Sequence, residues 1–257
     1  MKRVSRTLLP ILASLALLAG CSTSGEIGTG LPVEELYTTA RISMEGGNAQ
    51  RAEDYYNRIM SRYPFTAYST QAHLDILYVY LQMNDPDSLV EEADRFVREN
   101  PRHPNVDYVY YMRALAYYPV LPNPLENWFD VDLAQRDISN AEKAFAFFTQ
   151  LAARFPQSRY TADAKLRMIE LKNRIARHEM HVADYYLRRG AWVSALRRAE
   201  RVMRDFSETP AAVDALVVME KAYTELDLPE LAETPRRILA MNPDRIPVII
   251  EREAAED

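Results

Sequence analysis

The chain has one cysteine, Cys21, and almost no glycine beyond its first fifth. Of seven glycines, only Gly190 follows Gly47. Hairpin turns draw on glycine for positive φ, so sheets and barrels have almost no turn material here. A single thiol closes no intramolecular disulfide, so stability rests on packing. Basic excess is also missing: 31 Lys and Arg stand against 37 Asp and Glu, a formal charge of −6. Nucleic-acid partners, whose affinity rests on cationic contacts to phosphate, are therefore not expected. No apolar run reaches membrane-spanning length; Leu8–Leu18, broken by Pro10 and Ser14, has about 11 residues against roughly 20 required. No glycine-rich phosphate loop, G-x-S-x-G turn or calcium-loop spacing of Asp85, Asp87, Asp130 and Asp132 is present. The residues thus predict no enzyme and no cofactor.

What is there begins with Lys2, Arg3 and Arg6, the short apolar run, and then Leu18-Ala19-Gly20-Cys21. A basic start, a short apolar stretch and small residues before a cut site describe a secretory signal over residues 1–20. LAGC resembles a bacterial lipobox, in which Cys21 is lipidated and becomes the first mature residue; the plainer alternative is an ordinary signal with an incidental cysteine. Loss of Lys2, Arg3 and Arg6 would take the formal charge from −6 to −9. So acidic a chain needs acyl chains to hold it at an anionic bilayer, and more than one chain for stable anchoring. Residues 21–31 are rich in Ser, Gly and Thr and read as a flexible tether.

Ala, Leu, Arg, Glu and Met fill the remaining segments, and proline falls between them, where helices start or stop. The pattern predicts an all-α chain and repeats itself. A helix over Val33–Met44 meets Gly46-Gly47-Asn48; a second then carries Ala52, Tyr56 and Ile59 on one face and stops at Pro64. This is the tetratricopeptide frame: a turn glycine, a small residue where helices cross, an aromatic beside it and a closing proline. Leu89, Ala93, Phe96 and Pro101 repeat it, as do Ala144, Phe148, Leu151 and Pro156. Gly190, Ala195, Ala199 and Val202 mark a fourth unit closed by Ser207, and Leu231, Ile238 and Pro243 a fifth, with Pro235 at the aromatic position. Prolines at 119, 122 and 124 make residues 119–137 an insertion; Thr161 to Arg189 reads as one long helix. About five such units predict a superhelix with a concave, partner-binding face, though the fold names no ligand.

Two residue sets are candidates for that face. Tyr63, Phe65, Tyr68, Tyr78 and Tyr80 lie in the first two units, ahead of Tyr108, Tyr110, Tyr111, Tyr117 and Tyr118. Tyrosine joins apolar area to a polar tip and suits a wet recognition surface; core packing is the competing role for any one of them. Arg188, Arg189, Arg197, Arg198, Arg201 and Arg204 form a basic run in an acidic chain. It is either a dock for acidic groups or a solvated face paired with Glu200 and Asp205. His178 and His181 stand three apart with no third metal ligand evident, and read as helix surface.

In RYPF at Arg62–Phe65, LDILYVY at Leu74–Tyr80, RFVRENPRHPNVDYVYYMR at Arg95–Arg113 and RGAW at Arg189–Trp192, the chain resembles the BamD family. These are lipoproteins of the β-barrel assembly machinery of Gram-negative bacteria. The likeness runs from Cys21 to about Pro243. Val131–Asp137 departs from the family's more charged loop, keeping Asp132, Arg136 and Asp137, and 244–257 is an acidic tail without a match. The resemblance implies a palmitoylated Cys21 and a place on the periplasmic face of the outer membrane, with Ser22 agreeing with that sorting. It implies that residues 32–118 receive unfolded barrel proteins and residues 138–243 dock on BamA periplasmic domains and other Bam lipoproteins. The residues alone leave a second possibility, a periplasmic repeat scaffold for cell-wall or division enzymes.

Overall fold

The computed structural model describes residues 30–118, 138–245 and 247. The expected signal, Cys21, the insertion at 119–137 and most of the acidic tail lie outside them. Among the described residues every element is helical: α1 (Val33–Glu45), α2 (Ala49–Arg62), α3 (Ala67–Gln82), α4 (Pro86–Glu99), α5 (Val106–Leu115), α6 (Ser139–Arg154), α7 (Thr161–Arg188), α8 (Trp192–Asp205), α9 (Ala211–Glu225) and α10 (Pro229–Ala240). None is long and apolar enough to cross a membrane. The chain forms two compact units, one to Val79 and one from Tyr80, so the boundary falls inside α3.

One turn is built four times. It joins α1 to α2, α3 to α4, α7 to α8 and α9 to α10. In each, a residue with positive φ donates its N–H three residues back, and the next residue donates five residues back. These pairs are Gly47 to Met44 and Asn48 to Ser43, Asn84 to Leu81 and Asp85 to Tyr80, Gly190 to Leu187 and Ala191 to Tyr186, and Asp227 to Thr224 and Leu228 to Tyr223. This is the Schellman helix end, which satisfies orphan carbonyls through one left-handed residue. The sequence reading found the two glycine turns and missed the two carried by Asn84 (φ 54) and Asp227 (φ 57). Asn and Asp are the non-glycine residues that tolerate this region best. The side chains of Asn48 and Asp85 then cap the following helices by accepting from Arg51 N–H and Ser88 N–H, both at 3.1 Å. Asp87, read as a loop residue, lies in the first turn of α4.

The turn fixes the register of the buried face. Five residues after each left-handed residue stands Ala52, Leu89, Ala195 or Ala232, all buried. Tyr56 and Ile59, Ala93 and Phe96, and Ala199 and Val202 complete that face in α2, α4 and α8, and each is fully buried. Ala144, Phe148 and Leu151 do the same in α6. The fifth unit differs from its sequence reading. Leu231 and Ile238 are 51% and 37% exposed, while Ala232 and Pro235 are buried. Asp227 sets the register there: Ala232, five residues on, takes the inward place expected of Leu231, while Pro235 is buried at the aromatic position the frame gave it.

In the first unit α1 packs on α2. In the second, successive helices pack in the pairs α4–α5, α5–α6, α6–α7, α7–α8, α8–α9 and α9–α10, with α7 also reaching α9. Its core runs from Val106 to Val218 and centres on Phe148, Leu171, Ile175 and Met180. Antiparallel helix pairs joined by one recurrent turn, with small residues where helices cross, make a tetratricopeptide-like repeat fold.

Candidate functional site

The aromatic set divides. In the first unit, Tyr37 on α1 donates to Asp75 Oδ2 on α3 at 2.7 Å; Tyr56 on α2 reaches the same oxygen at 3.5 Å and Gln71 Nε2 donates to Oδ1 at 2.8 Å. Asp75 thus ties three helices together. Burial, reinforced by the neighbouring carboxylate, pushes both tyrosines well above the ordinary phenol range. Tyr68 packs its ring against Tyr37, centroids 5.4 Å apart, and Tyr63 donates to the Leu31 carbonyl at 3.3 Å. Both are half-buried. Phe65 is fully exposed in the turn before α3, and Tyr78 is 43% exposed. Tyr80 is buried, and at about 100° per residue it stands roughly 200° around α3 from Tyr78. The five candidates therefore present no single face: Tyr63 and Tyr68 support the fold from the rim, Phe65 and Tyr78 project, and Tyr80 faces elsewhere. Tyr37 and Asp75 were not singled out in the sequence, where nothing marks a pair 38 residues apart.

Tyr80 lines a cavity of about 240 Å³ in the second unit. Leu81 and Pro86 form one side, Leu115 and Tyr118 another, and Arg167 supplies its cation. The Arg167 guanidinium sits 4.5 Å from the Tyr118 ring centroid, a cation–π contact, and its Nε donates to Asp163 Oδ2 at 2.6 Å. Tyr111 donates to the same oxygen at 2.6 Å, and Tyr118 donates to Glu170. Burial, then the accepting carboxylate, pushes Tyr111 and Tyr118 up to about 12. Burial opposes ionisation of Asp163, but the Arg167 and Tyr111 hydrogen bonds outweigh it and hold the carboxyl below its usual range. The wall is thus a fixed polar network behind an apolar cup. Such a cup suits an apolar side chain whose backbone or terminus carries an acceptor.

The basic run also divides. Glu179, on α7 and 1% exposed, accepts from Arg198 Nη1 at 3.1 Å and Arg201 Nη1 at 2.5 Å; Arg201 Nη2 donates to Glu142 on α6 at 2.7 Å. Arg198 and Arg201 therefore clamp a buried carboxylate and join three helices, rather than pairing with Glu200 and Asp205. Arg204 pairs with Asp205. Arg188 pairs along its own helix with Asp184 at 2.9 Å, and Arg189 lies 4.5 Å over the Tyr185 ring. Arg197 is exposed and, among the described residues, has no ion-pair partner. His178 and His181, expected on a solvated surface, are both half-buried and engaged. Among the described residues no group of His, Cys, Asp and Glu is placed to hold a metal ion.

A family model described as outer membrane lipoprotein, YfiO, matches residues 30–238. Outer membrane protein assembly factor BamD of Vibrio cholerae serotype O1 is 37% identical over 232 residues, 90% of this chain and 96% of that protein. BamD of Neisseria meningitidis serogroup B is 34% identical over 99% of this chain and 97% of its own. BamD of Xylella fastidiosa Temecula1 is 37% identical over 90% and 80%. Each of these relatives is named for outer-membrane protein assembly, not for cell-wall work.

Proposed function

Since this chain belongs to the YfiO family of outer membrane lipoproteins, we propose that it is a lipid-anchored adaptor in the assembly of outer-membrane β-barrel proteins. The observation that carries this reading is identity above one third to assembly factors along nine-tenths of the chain. It acts by binding, without catalysis. Cys21 carries the lipid on the periplasmic face of the outer membrane.

Residues 32–118 receive the unfolded barrel. An extended peptide leaves backbone donors and acceptors open. Phe65 and Tyr78 offer exposed ring area in the first unit, and in the second the cup beside Tyr80 accepts an apolar side chain against Arg167. Residues 138–243 dock on the periplasmic domains of BamA and on other lipoproteins of that machinery. Arg188, Arg189 and Arg197 supply the exposed cations there, whereas Arg198 and Arg201 hold the docking helix in place through Glu179.

A photo-crosslinker at Phe65 or Tyr78, in cells, should capture barrel precursors, and Arg197→Glu should lower BamA co-purification while leaving the melting temperature unchanged. Capture of no barrel precursor together with undiminished BamA recovery would sink both assignments. Cys21→Ala should release the protein from the membrane fraction without unfolding it.

A further inference from the structure

Helix α2 carries three arginines on one flank. Arg51, Tyr55, Arg58 and Arg62 follow one another at helical spacing and fall within about 60° around the helix. Arg51 and Arg62 are exposed, and the Arg51 guanidinium lies 5.7 Å from the Tyr55 ring centroid. Arg58 is half-buried, and its Nη1 is buried without an acceptor. Among the described residues none of the three has an ion-pair partner; Asp54, at helical spacing from Arg51 and Arg58, bonds to neither. Surface arginines on other helices are answered by carboxylates, as Arg41 is by Glu45, Arg95 by Glu91 and Arg236 by Glu220. Three unanswered cations in a chain of formal charge −6 make a local positive surface. Tyr63, which follows Arg62, donates to the Leu31 carbonyl at 3.3 Å. The C-terminal end of the stripe therefore adjoins the start of the described chain, and Leu31 follows Cys21 by ten residues.

We propose that Arg51, Arg58 and Arg62 form a binding surface for the phosphates of anionic phospholipid headgroups, so that this flank of α2 meets the bilayer. The proposal rests on the reading that Cys21 holds the chain at a membrane. The chemistry is complementary: guanidinium forks match phosphate oxygens in pairs. Each cation close to an anionic bilayer raises binding about fivefold. An acidic chain is repelled by that bilayer as a whole, so the stripe, and not the net charge, selects the face that approaches. Acyl chains hold the protein at the membrane; the stripe turns one flank of the first unit towards it.

The test needs no lipid on the protein. The full chain with Cys21→Ser is sedimented with vesicles of equal parts phosphatidylcholine and phosphatidylglycerol. Changing Arg51, Arg58 and Arg62 together to Gln should lower its partition coefficient by about a hundredfold. Changing all three to Lys, which keeps the charge, should lower it far less. All these chains retain residues 1–20, so the gap between them reports the stripe. That gap should close at about 1 M salt, where the Debye length is about 3 Å. Arg204→Gln, at an arginine already paired with Asp205, should change nothing. If the Gln chain does not fold, Arg51→Glu with Arg62→Glu, both at exposed positions, carries the same prediction. Equal partitioning of parent and variant would overturn the proposal, and so would a gap of the same size on phosphatidylcholine alone. Lowered BamA recovery with unaltered vesicle binding would assign the stripe to an acidic protein face instead. None of these outcomes bears on the anchor, which release of Cys21→Ala from membranes tests separately.

Discussion

Helices α8 and α10 start from the same turn and end differently. Gly190 and Asp227 both adopt positive φ, and both place an alanine inward five residues later. Beyond that point α8 has neighbours on two sides, α7 and α9. It buries Ala195, Ala199 and Val202, and turns Arg198 and Arg201 onto the carboxylate of Glu179. The flank of α10 carries Leu231 and Ile238 into solvent instead. The repeat motif therefore sets only which residues face the preceding helix. What becomes of the remaining side chains depends on what lies next in the array. Between two neighbours a basic stripe becomes a structural clamp; on α10, the last of the described helices, an apolar stripe is exposed.

The sharpest break of this contrast is at the clamp. Arg198→Ala with Arg201→Ala leaves Glu179 buried without a cation, and losing the partners of a buried charge costs about 3–5 kcal/mol. Urea denaturation of the double variant should show that loss, and either single variant much less, because one guanidinium remains. Glu179→Gln in the double-variant background should recover much of the stability. On α10, Arg236 pairs with Glu220 and Glu233 at the surface, and Arg236→Ala should leave the denaturation midpoint within error. Equal effects at the two helices would erase the distinction.

The apolar positions give a second, smaller contrast. Val202→Ala removes two buried methyl groups and should cost about 2 kcal/mol, combining transfer and cavity terms. Ile238→Ala on the open flank should cost well under half as much. Smaller again is an alkaline effect confined to the interior helices. Tyr111 and Tyr118 titrate at about 12 in the fold, against an ordinary value of 10.0. A folded pKa raised above the unfolded one gives stability that is complete below pH 10 and is lost as pH rises from about 10 to about 12. Both rings are half-exposed, so solvent screening reduces the effect. Tyr111→Phe with Tyr118→Phe should flatten the pH dependence of stability across that window. A decline of unchanged steepness would assign it to other groups.

The inner face was legible because it rests on local spacing. Ala52, Tyr56 and Ile59 follow Gly47 at fixed offsets, and Ala195, Ala199 and Val202 follow Gly190 likewise. In the fifth unit Pro235 was placed correctly and Ala232 was missed, because the left-handed residue there is Asp227, and aspartate in sequence signals caps and turns of many kinds. The clamp was illegible for a different reason. Glu179 stands between His178 and Met180 and reads as a surface charge; its burial depends on arginines 19 and 22 residues later on another helix. The Tyr37–Asp75 tie spans 38 residues. Nonlocal polar pairs carry no periodicity, so a sequence offers the residues without the pairing. The same holds for the candidate recognition set: composition marked Tyr78 and Tyr80 together, but two residues along a helix stand on nearly opposite sides.

The turns themselves provide the finest test of whether α8 and α10 share one motif. An added Cβ at Gly190 would meet only Trp192, at 3.8 Å, an ordinary contact. Gly190→Ala therefore costs only the left-handed backbone penalty, about 1 kcal/mol. At Asp227 that penalty is already present in the native chain, so Asp227→Gly should relieve it and raise stability by up to about 1 kcal/mol, less the added chain entropy of glycine. Opposite signs in thermal melts of the two variants are the expected result. Two destabilising substitutions would mean that the Asp227 carboxylate contributes more than its backbone strain costs, and that the end of the array is held by a side-chain contact that α8 does not need.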